Sequence, residues 1–277
     1  MYYLLPDKVY LKHRYKKVFN KKLDLKNPLT FNEKIQWLKL YDRNPEYYKM
    51  IDKFEAKKFV ASIIGEKYII PTLGIWSRFE DIDFDKLPDK FVLKCTHDAG
   101  STVICEDKNK FDFNKAKDKL NSAMKIDYYH YDNKQWAYKN IKHRIIAEKF
   151  MIGDGDYELK DYKFLIFNNK HKCSFVCSDR NNGKELKVTF FDEGWNKMPF
   201  ERHYKTADNI QKPLNYTKMV DLSEKLAQHV GAPFIRIDFY EVNGEIYFGE
   251  ITFYPGGGVE EFSPEEWDYI LGSWIKL

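Results

Sequence analysis

The spacing of apolar positions divides the chain into a helical beginning and a strand-rich remainder. In the first sixty or so residues, Thr30-Phe31-Asn32-Glu33 forms a capping box, in which the threonine hydroxyl and glutamate carboxylate satisfy backbone donors that a helix start leaves unpaired. Phe31, Ile35 and Leu38 then recur at helical spacing, as do Trp37, Leu40 and Tyr41. A second helix is expected over residues 45–64, with Pro45 in its first turn and Gly65 just past its end. After that the period shortens to two. Strands are expected at 68–71, at 91–95 with a return strand at 102–105, and at 144–148, with a helix over 113–124 between the last two. Residues 162–167 and 172–178 alternate and pair across Asn168-Asn169, and 186–191 adds a strand. Residues 216–230 read as a helix stopped by Gly231, and 234–242 and 245–252 as a hairpin joined by Asn243-Gly244. The expected organisation is an N-terminal helical segment (1–65), a small α+β lobe (66–145) and a larger α+β lobe (146–277).

Composition narrows the class. The chain has 277 residues, and aromatics make up 17% of it, so a packed core is expected rather than disorder. No apolar run reaches the roughly 18 residues of a membrane helix. The apolar start, residues 1–6, is too short for a secretory leader, and a cytoplasmic location is the expectation. Cys95, Cys105, Cys173 and Cys177 lack the tight pairing and neighbouring histidines of a zinc site, so reduced, partly buried thiols are expected. The net charge is only +4, but Lys8, Lys12, His13, Arg14, Lys16, Lys17, Lys21, Lys22 and Lys26 crowd one stretch against two acids, Asp7 and Asp24. That stretch suits an anionic membrane surface or a polyanionic substrate, but the solvated face of a terminal helix is the plainer and favoured reading. No nucleic-acid motif accompanies it, so a nucleic-acid partner is not expected.

The sharpest chemical signal is Arg236-Ile237-Asp238 on one strand and Glu250-Ile251-Thr252 on the next. Alternation puts Arg236 with Asp238 and Glu250 with Thr252, and a hairpin brings the two pairs onto one surface. Two carboxylates and a hydroxyl are hard oxygen donors of the kind that hold Mg²⁺ together with substrate phosphates. An ordinary charged hairpin in water is the plainer alternative, but the many apolar neighbours, Ile235, Ile237, Phe239, Phe248 and Phe253 among them, argue that these acids need a partner. Tyr254-Pro255-Gly256-Gly257-Gly258 follows at once, and its glycines allow backbone amides to approach an anion or a reacting group. Lys94 ends a second apolar strand and precedes His97-Asp98-Ala99-Gly100-Ser101-Thr102, whose small residues suit a loop folding over phosphates. The spacing is not that of a Walker A motif. Without the other features, Lys94 would read equally well as a strand-end lysine reaching water.

Taken in this order, the segments resemble the ATP-grasp superfamily and, within it, the TupA-like ATP-grasp family named for teichuronopeptide biosynthesis. The resemblance runs from about Thr30 to Gly272. It rests on Asp52-Lys53 with Lys57, Gly65 and Pro71; on 87–94 with His97-Asp98-Ala99-Gly100-Ser101; and on Trp136, Tyr138 and Arg144-Ile145-Ile146-Ala147-Glu148. It also rests on Asp161-Tyr162-Lys163, Arg236-Ile237-Asp238 and Gly249-Glu250-Ile251-Thr252-Phe253. The resemblance implies an α+β fold in which two lobes clasp ATP after a short helical segment. It implies that Lys53 and Lys94 hold phosphates, with Asp98, Gly100 and Ser101 in the grasping loop and His97 positioning that loop or touching the transferring phosphate. Glu148 and the backbones of Lys149 and Met151 would form the adenine hinge, and Asp154 or Asp156 would meet the ribose. Lys163 would reach the β- and γ-phosphates, Asp238, Glu250 and Thr252 would hold Mg²⁺, and Arg236 would steady an acyl phosphate. The chain departs from the common pattern in carrying Thr252 where many relatives have asparagine, and in having only about fifty mostly helical residues before Lys53 in place of a Rossmann-like substrate domain.

The implied activity is ATP-dependent joining of a carboxylate, such as a uronic acid on a glycan, to an amine, such as an amino acid, in surface-polysaccharide biosynthesis. The alternatives are a kinase using the same grasp to phosphorylate a glycan hydroxyl, a glycosyltransferase, and a non-catalytic glycan-binding module.

Overall fold

The computed structural model describes residues 5–152, 159–178 and 185–277. Helix α1 (Asp7–Phe19) buries only Leu11 and Tyr15, which join Leu23 and Leu25 in a small cluster. Helix α2 (Phe31–Tyr41) starts at the capping box read from the sequence, with Glu33 N donating to Thr30 Oγ1 at 3.1 Å and Thr30 N donating to the Glu33 carboxylate at 3.2 Å.

The single helix expected over 45–64 is instead two, α3 (Tyr47–Ile51) and α4 (Lys53–Ile64), separated by an extended Asp52. Asp52 Oδ1 caps α4 by accepting from Phe54 N and Glu55 N at 2.9 and 3.0 Å. Its Oδ2 accepts from the Thr96 hydroxyl and from Arg144, both at 3.0 Å. A carboxylate only 1% exposed and met by four donors outweighs one continuous helical turn. Asp52→Ala strands part of Arg144 and removes the cap, so a loss of about 3 kcal/mol is expected. Urea unfolding followed by circular dichroism measures it, and a loss below about 0.5 kcal/mol, the range of ordinary surface substitutions, would show that the break has another cause.

The strand expected at 68–71 does not form. Residues 66–68 make a 3₁₀ turn, Ile69 makes a lone bridge to Phe248, and strand β1 is Thr72–Trp76. Proline has no N–H to give a ladder, and Pro71 contributes only its carbonyl, to Lys149 N. With β2 (Phe91–Cys95), β3 (Val103–Cys105) and β4 (Ile145–Lys149), β1 builds an antiparallel sheet in the order β1-β4-β2-β3. This sheet includes residues 145–149 and so runs past the expected lobe boundary at 145. Helix α5 (Phe113–Met124) covers it with Ala116, Leu120 and Ala123 against Phe91, Leu93 and Cys95. Helix α6 (Tyr128–Tyr131) follows.

The second sheet is also antiparallel, in the order β10-β9-β5-β6-β7, from β5 (Asp161–Phe167), β6 (Lys170–Ser178), β7 (Lys187–Asp192), β9 (Phe234–Val242) and β10 (Glu245–Thr252). Asn168 and Asn169, and then Asn243 and Gly244, take the positive φ values that tight hairpins need. Strands β8 (Glu201–Arg202) and β11 (Phe262–Ser263) form a short ribbon beside it. Helix α7 (Tyr216–Val230) lays Met219, Leu222 and Leu226 on the face bearing Phe164, Ile235, Ile237 and Phe239. Helices α2 and α8 (Glu266–Trp274) share this core, so the N-terminal helices pack onto the large sheet. All four cysteines are buried free thiols. No helix of the described residues is long and apolar enough to cross a membrane.

Candidate active site

The cleft face of the large sheet is set by register. Lys163 lies opposite Asp238, Asp161 opposite Tyr240, and Arg236 opposite Thr252. Glu250 joins them through a bulge. The pairs Phe248–Phe239 and Ile251–Ile237 leave Gly249 and Glu250 both opposite Asp238. Without the extra residue, Glu250 would follow Ile246 and Phe248 onto the core face; the bulge turns it to the cleft. Position 249 favours glycine, because a Cβ there would lie 3.1 Å from the Tyr240 ring and 3.2 Å from Asp238 O, so its neighbours would have to give way by a few tenths of an ångström. The apolar phase break from Phe248 to Ile251 around Gly249 is the sequence signal of this bulge.

These side chains form one charged row. Arg236 donates to both Asp238 oxygens, at 2.7 and 2.8 Å, and to Glu250. Lys163 lies between Asp161, at 2.5 Å, and Asp238. The Thr252 hydroxyl donates to Glu250 at 3.4 Å. Burial pushes the Asp238 carboxyl up, Arg236 and Lys163 pull against it, and Asp161 and Glu250 add to the rise. Burial alone would lower Lys163, but Asp161 and Asp238 raise it above the ordinary lysine value. Surrounding protein pushes Glu250 up, yet Arg236, Lys163 and Lys53 outweigh that and hold it near about 2. Asp238 is 1% exposed, whereas the Glu250 side chain is 44% exposed and faces the cleft. Three carboxylates against two cations leave a surplus of negative charge.

The small lobe presents a complementary set. Glu148 is clamped by Lys57 and Lys94, each at 2.5 Å, and although burial pushes it up the two ammonium groups hold it near about 2. Lys53 donates to the carbonyls of Cys95, at 3.1 Å, and Asp98, with the Asp98 carboxylate 3.8 Å away. Ser101 Oγ donates to Asp98 at 2.7 Å and accepts from Cys95 N at 2.8 Å. Asp98 and Ser101 are therefore occupied in bracing the loop after β2, while Ala99, Gly100 (φ 103°) and Thr102 are its exposed residues.

Three expectations change. His97 does not face the cleft: it is 1% exposed, its Nε2 lies 3.2 Å from Ala123 O, and it stacks on His143 at 3.7 Å. Burial, and then His143, push its pKa down to about 4, as suits a neutral packing residue. The Lys149 amide already donates to Pro71 O at 3.0 Å, so a bound base would not receive that hydrogen bond; Met151 is half-buried beyond it. Asp154 and Asp156 lie outside the described residues. The glycine run is held by its carbonyls, since Gln36 donates to Gly257 O and Gly258 O, and Lys39 to Gly257 O and Asn133 O. Lys39 is fully buried, which lowers its pKa to about 7.

The two halves face each other. Lys53 and Glu250 feel each other's charge, and Tyr240 on β9 feels Glu148. Lys57, Asp161, Tyr138 and Tyr240 belong to this surround although no site role is assigned to them from the sequence. Lys57, Tyr138 and Asp161 lie in segments that carry the family resemblance, and periodicity adds a further signal: Lys57 is one helical turn beyond Lys53, and Asp161 and Tyr240 alternate with Lys163 and Asp238.

Two antiparallel α+β lobes meeting over a cleft, one edged by lysines and the other by a carboxylate hairpin, define an ATP-grasp fold. The profile of the family described as TupA-like ATPgrasp matches residues 33–276, and the chain belongs to that family. Similar solved structures include D-alanine–D-alanine ligase from Bacillus anthracis complexed with ATP, at 16% identity over 75% of this chain and 54% of that one, TM-score 0.44. Another is the ATP-grasp ligase PsnB complexed with minimal precursor, Mg and ADP, at 9% identity over 80% of this chain and 57% of that one, TM-score 0.43. A third is a RimK domain protein from Sphaerobacter thermophilus, at 9% identity over 82% of this chain and 67% of that one, TM-score 0.43. The chain thus spans a little over half the length of the first two. No curated protein matches the sequence.

Proposed function

We propose that the chain is an ATP-dependent carboxylate–amine ligase of surface-polysaccharide biosynthesis. One observation carries the reading: a lysine cluster on the small lobe and an acidic row on the large lobe meet across one cleft, with Lys53 in the field of Glu250. Nucleotide phosphates need both, cations for their oxygens and carboxylates for the accompanying metal. Among the described residues no group of three or more His, Cys, Asp or Glu side chains could hold a metal by itself. Two carboxylates in a row that Asp161 leaves with surplus negative charge do fit magnesium shared with phosphate oxygens, Asp238 and Glu250 being the ligands and Thr252 their neighbour. When bound, the ion would neutralise charge on the transferring phosphoryl group.

In the proposed reaction an acceptor carboxylate oxygen attacks the γ-phosphorus and ADP leaves. The amine nitrogen then attacks the acyl-phosphate carbon and loses a proton, and phosphate departs with the former carboxylate oxygen. Lys53 and Lys94 orient the phosphates, Lys163 sets the carboxylate row, and the Arg236 guanidinium stabilises the oxyanion at the acyl carbon. Lys94→Ala is expected to weaken binding of a non-hydrolysable ATP analogue with magnesium tenfold or more, about 1.4 kcal/mol, because a charge-assisted phosphate contact is lost. Calorimetry measures this, and unchanged affinity would remove Lys94 from the nucleotide site.

A further inference from the structure

Beside the cleft, between the start of α3 and the turn at 136–140, lies a cavity of about 260 Å³ lined by Pro45, Tyr48, Trp136, Ala137, Lys139 and Asn140. Its walls are aromatic and its rim is cationic. Tyr48 is 40% exposed and Trp136 half-buried. Lys139 Nζ lies 5.2 Å from the Trp136 ring centre, and the Arg43 guanidinium 4.7 Å from the same ring. Arg43 is committed to Asp7 at 2.6 Å, whereas no carboxylate among the described residues lies within ion-pair distance of the exposed Lys139. The pocket is also tied to the cleft through its walls. Tyr47, the neighbour of Tyr48, stacks at 4.1 Å on Phe253, the residue after Thr252. Tyr138, two residues after Trp136, lies in the electrostatic field of Glu250 and Arg236.

A concave site walled by aromatic side chains, with the Tyr48 ring exposed, takes a flat ligand with apolar C–H surfaces, and a rim lysine with no counter-charge among the described residues adds a preference for an anion. A pyranose ring bearing a carboxylate meets both demands. A purely aromatic ligand leaves Lys139 unused, and a membrane surface engages convex charge rather than a cavity. We propose that this pocket is an acceptor subsite for one ring of an acidic saccharide, stacked on the exposed Tyr48 and edged by Trp136, with its carboxylate on Lys139. The proposal rests on the ligase reading, because a glycan acid reaching the cleft would pass along this wall.

The test titrates oligogalacturonate into the full chain labelled with ¹⁵N at the tryptophan indoles, with Trp136→Phe identifying the Trp136 signal. The expected result is a saturable shift of that signal, an affinity at least tenfold lower for Lys139→Gln and for Tyr48→Ala, and at least tenfold weaker binding of neutral maltohexaose. Lys139 is exposed, so its variant reports binding rather than folding. A silent Trp136 signal, unchanged affinity in both variants, equal binding of maltohexaose, or a response to phosphatidylserine vesicles alone would each overturn the subsite. Magnesium–ATP-analogue binding is measured in the same samples. Its presence beside a silent Trp136 rejects the subsite only, whereas its absence in the unsubstituted protein rejects the ligase reading beneath it.

Discussion

Glu250→Gln is expected to reduce turnover about a thousandfold or more while leaving the melting temperature close to that of the unsubstituted protein. The Glu250 side chain is 44% exposed, and Arg236 keeps both hydrogen bonds to Asp238 when Glu250 is neutral, so no buried charge is stranded. What disappears is the cleft-facing carboxylate, and with it a hard anionic donor for the metal–phosphate complex. Asp238→Asn should stop turnover equally but also cost about 3 kcal/mol of stability, since Arg236 and Lys163 both lean on this buried carboxylate. Phosphate and ADP release followed across a magnesium titration, together with urea unfolding, separates the two effects. Near-normal rates in both variants at every magnesium concentration would show that the hairpin does not hold the metal.

An acceptor labelled with ¹⁸O in its carboxylate should deliver label to released phosphate, and only when an amine is present to complete turnover. This is the mark of an acyl phosphate that breaks at its carbonyl carbon, and mass spectrometry of the phosphate reads it. ADP without free phosphate, accompanied by a phosphorylated glycan, would replace the ligase with a kinase acting through the same grasp. Arg236→Ala should slow amide formation by about 10²–10³-fold, the usual range for removing an oxyanion donor, and change nucleotide affinity far less. Arg236→Lys should restore little. Its single ammonium cannot reproduce the fork that now holds Asp238 through two bonds and reaches Glu250.

Much of this arrangement is written in local pattern. The capping box at Thr30, the helices over Phe113–Met124 and Tyr216–Val230, and the hairpin of Phe234–Val242 with Glu245–Thr252 all follow from short-range signals, and all form at the residues that carry them. Local pattern fails where a distant partner wins. Nothing near Asp52 in the chain announces that Thr96 and Arg144 will meet its carboxylate, so a helical stretch breaks there. His97 looks like a cleft residue beside Asp98 until His143, far along the chain, stacks on it from the packed side of the small lobe.

By itself, then, the sequence determined which side chains share a face, because strand alternation and helical spacing are properties of neighbouring residues. It placed Arg236 with Asp238 and Glu250 with Thr252 before any contact was known. The tertiary structure alone decided which of those faces meet and which charges are left for a ligand. Register set Lys163 against Asp238, and the bulge at Gly249 turned Glu250 toward Arg236. Lobe packing gave both oxygens of Glu148 to Lys57 and Lys94. The physical reason is range: backbone geometry acts over a few residues, whereas pairing of buried charges depends on groups that only the completed fold brings within a few ångströms.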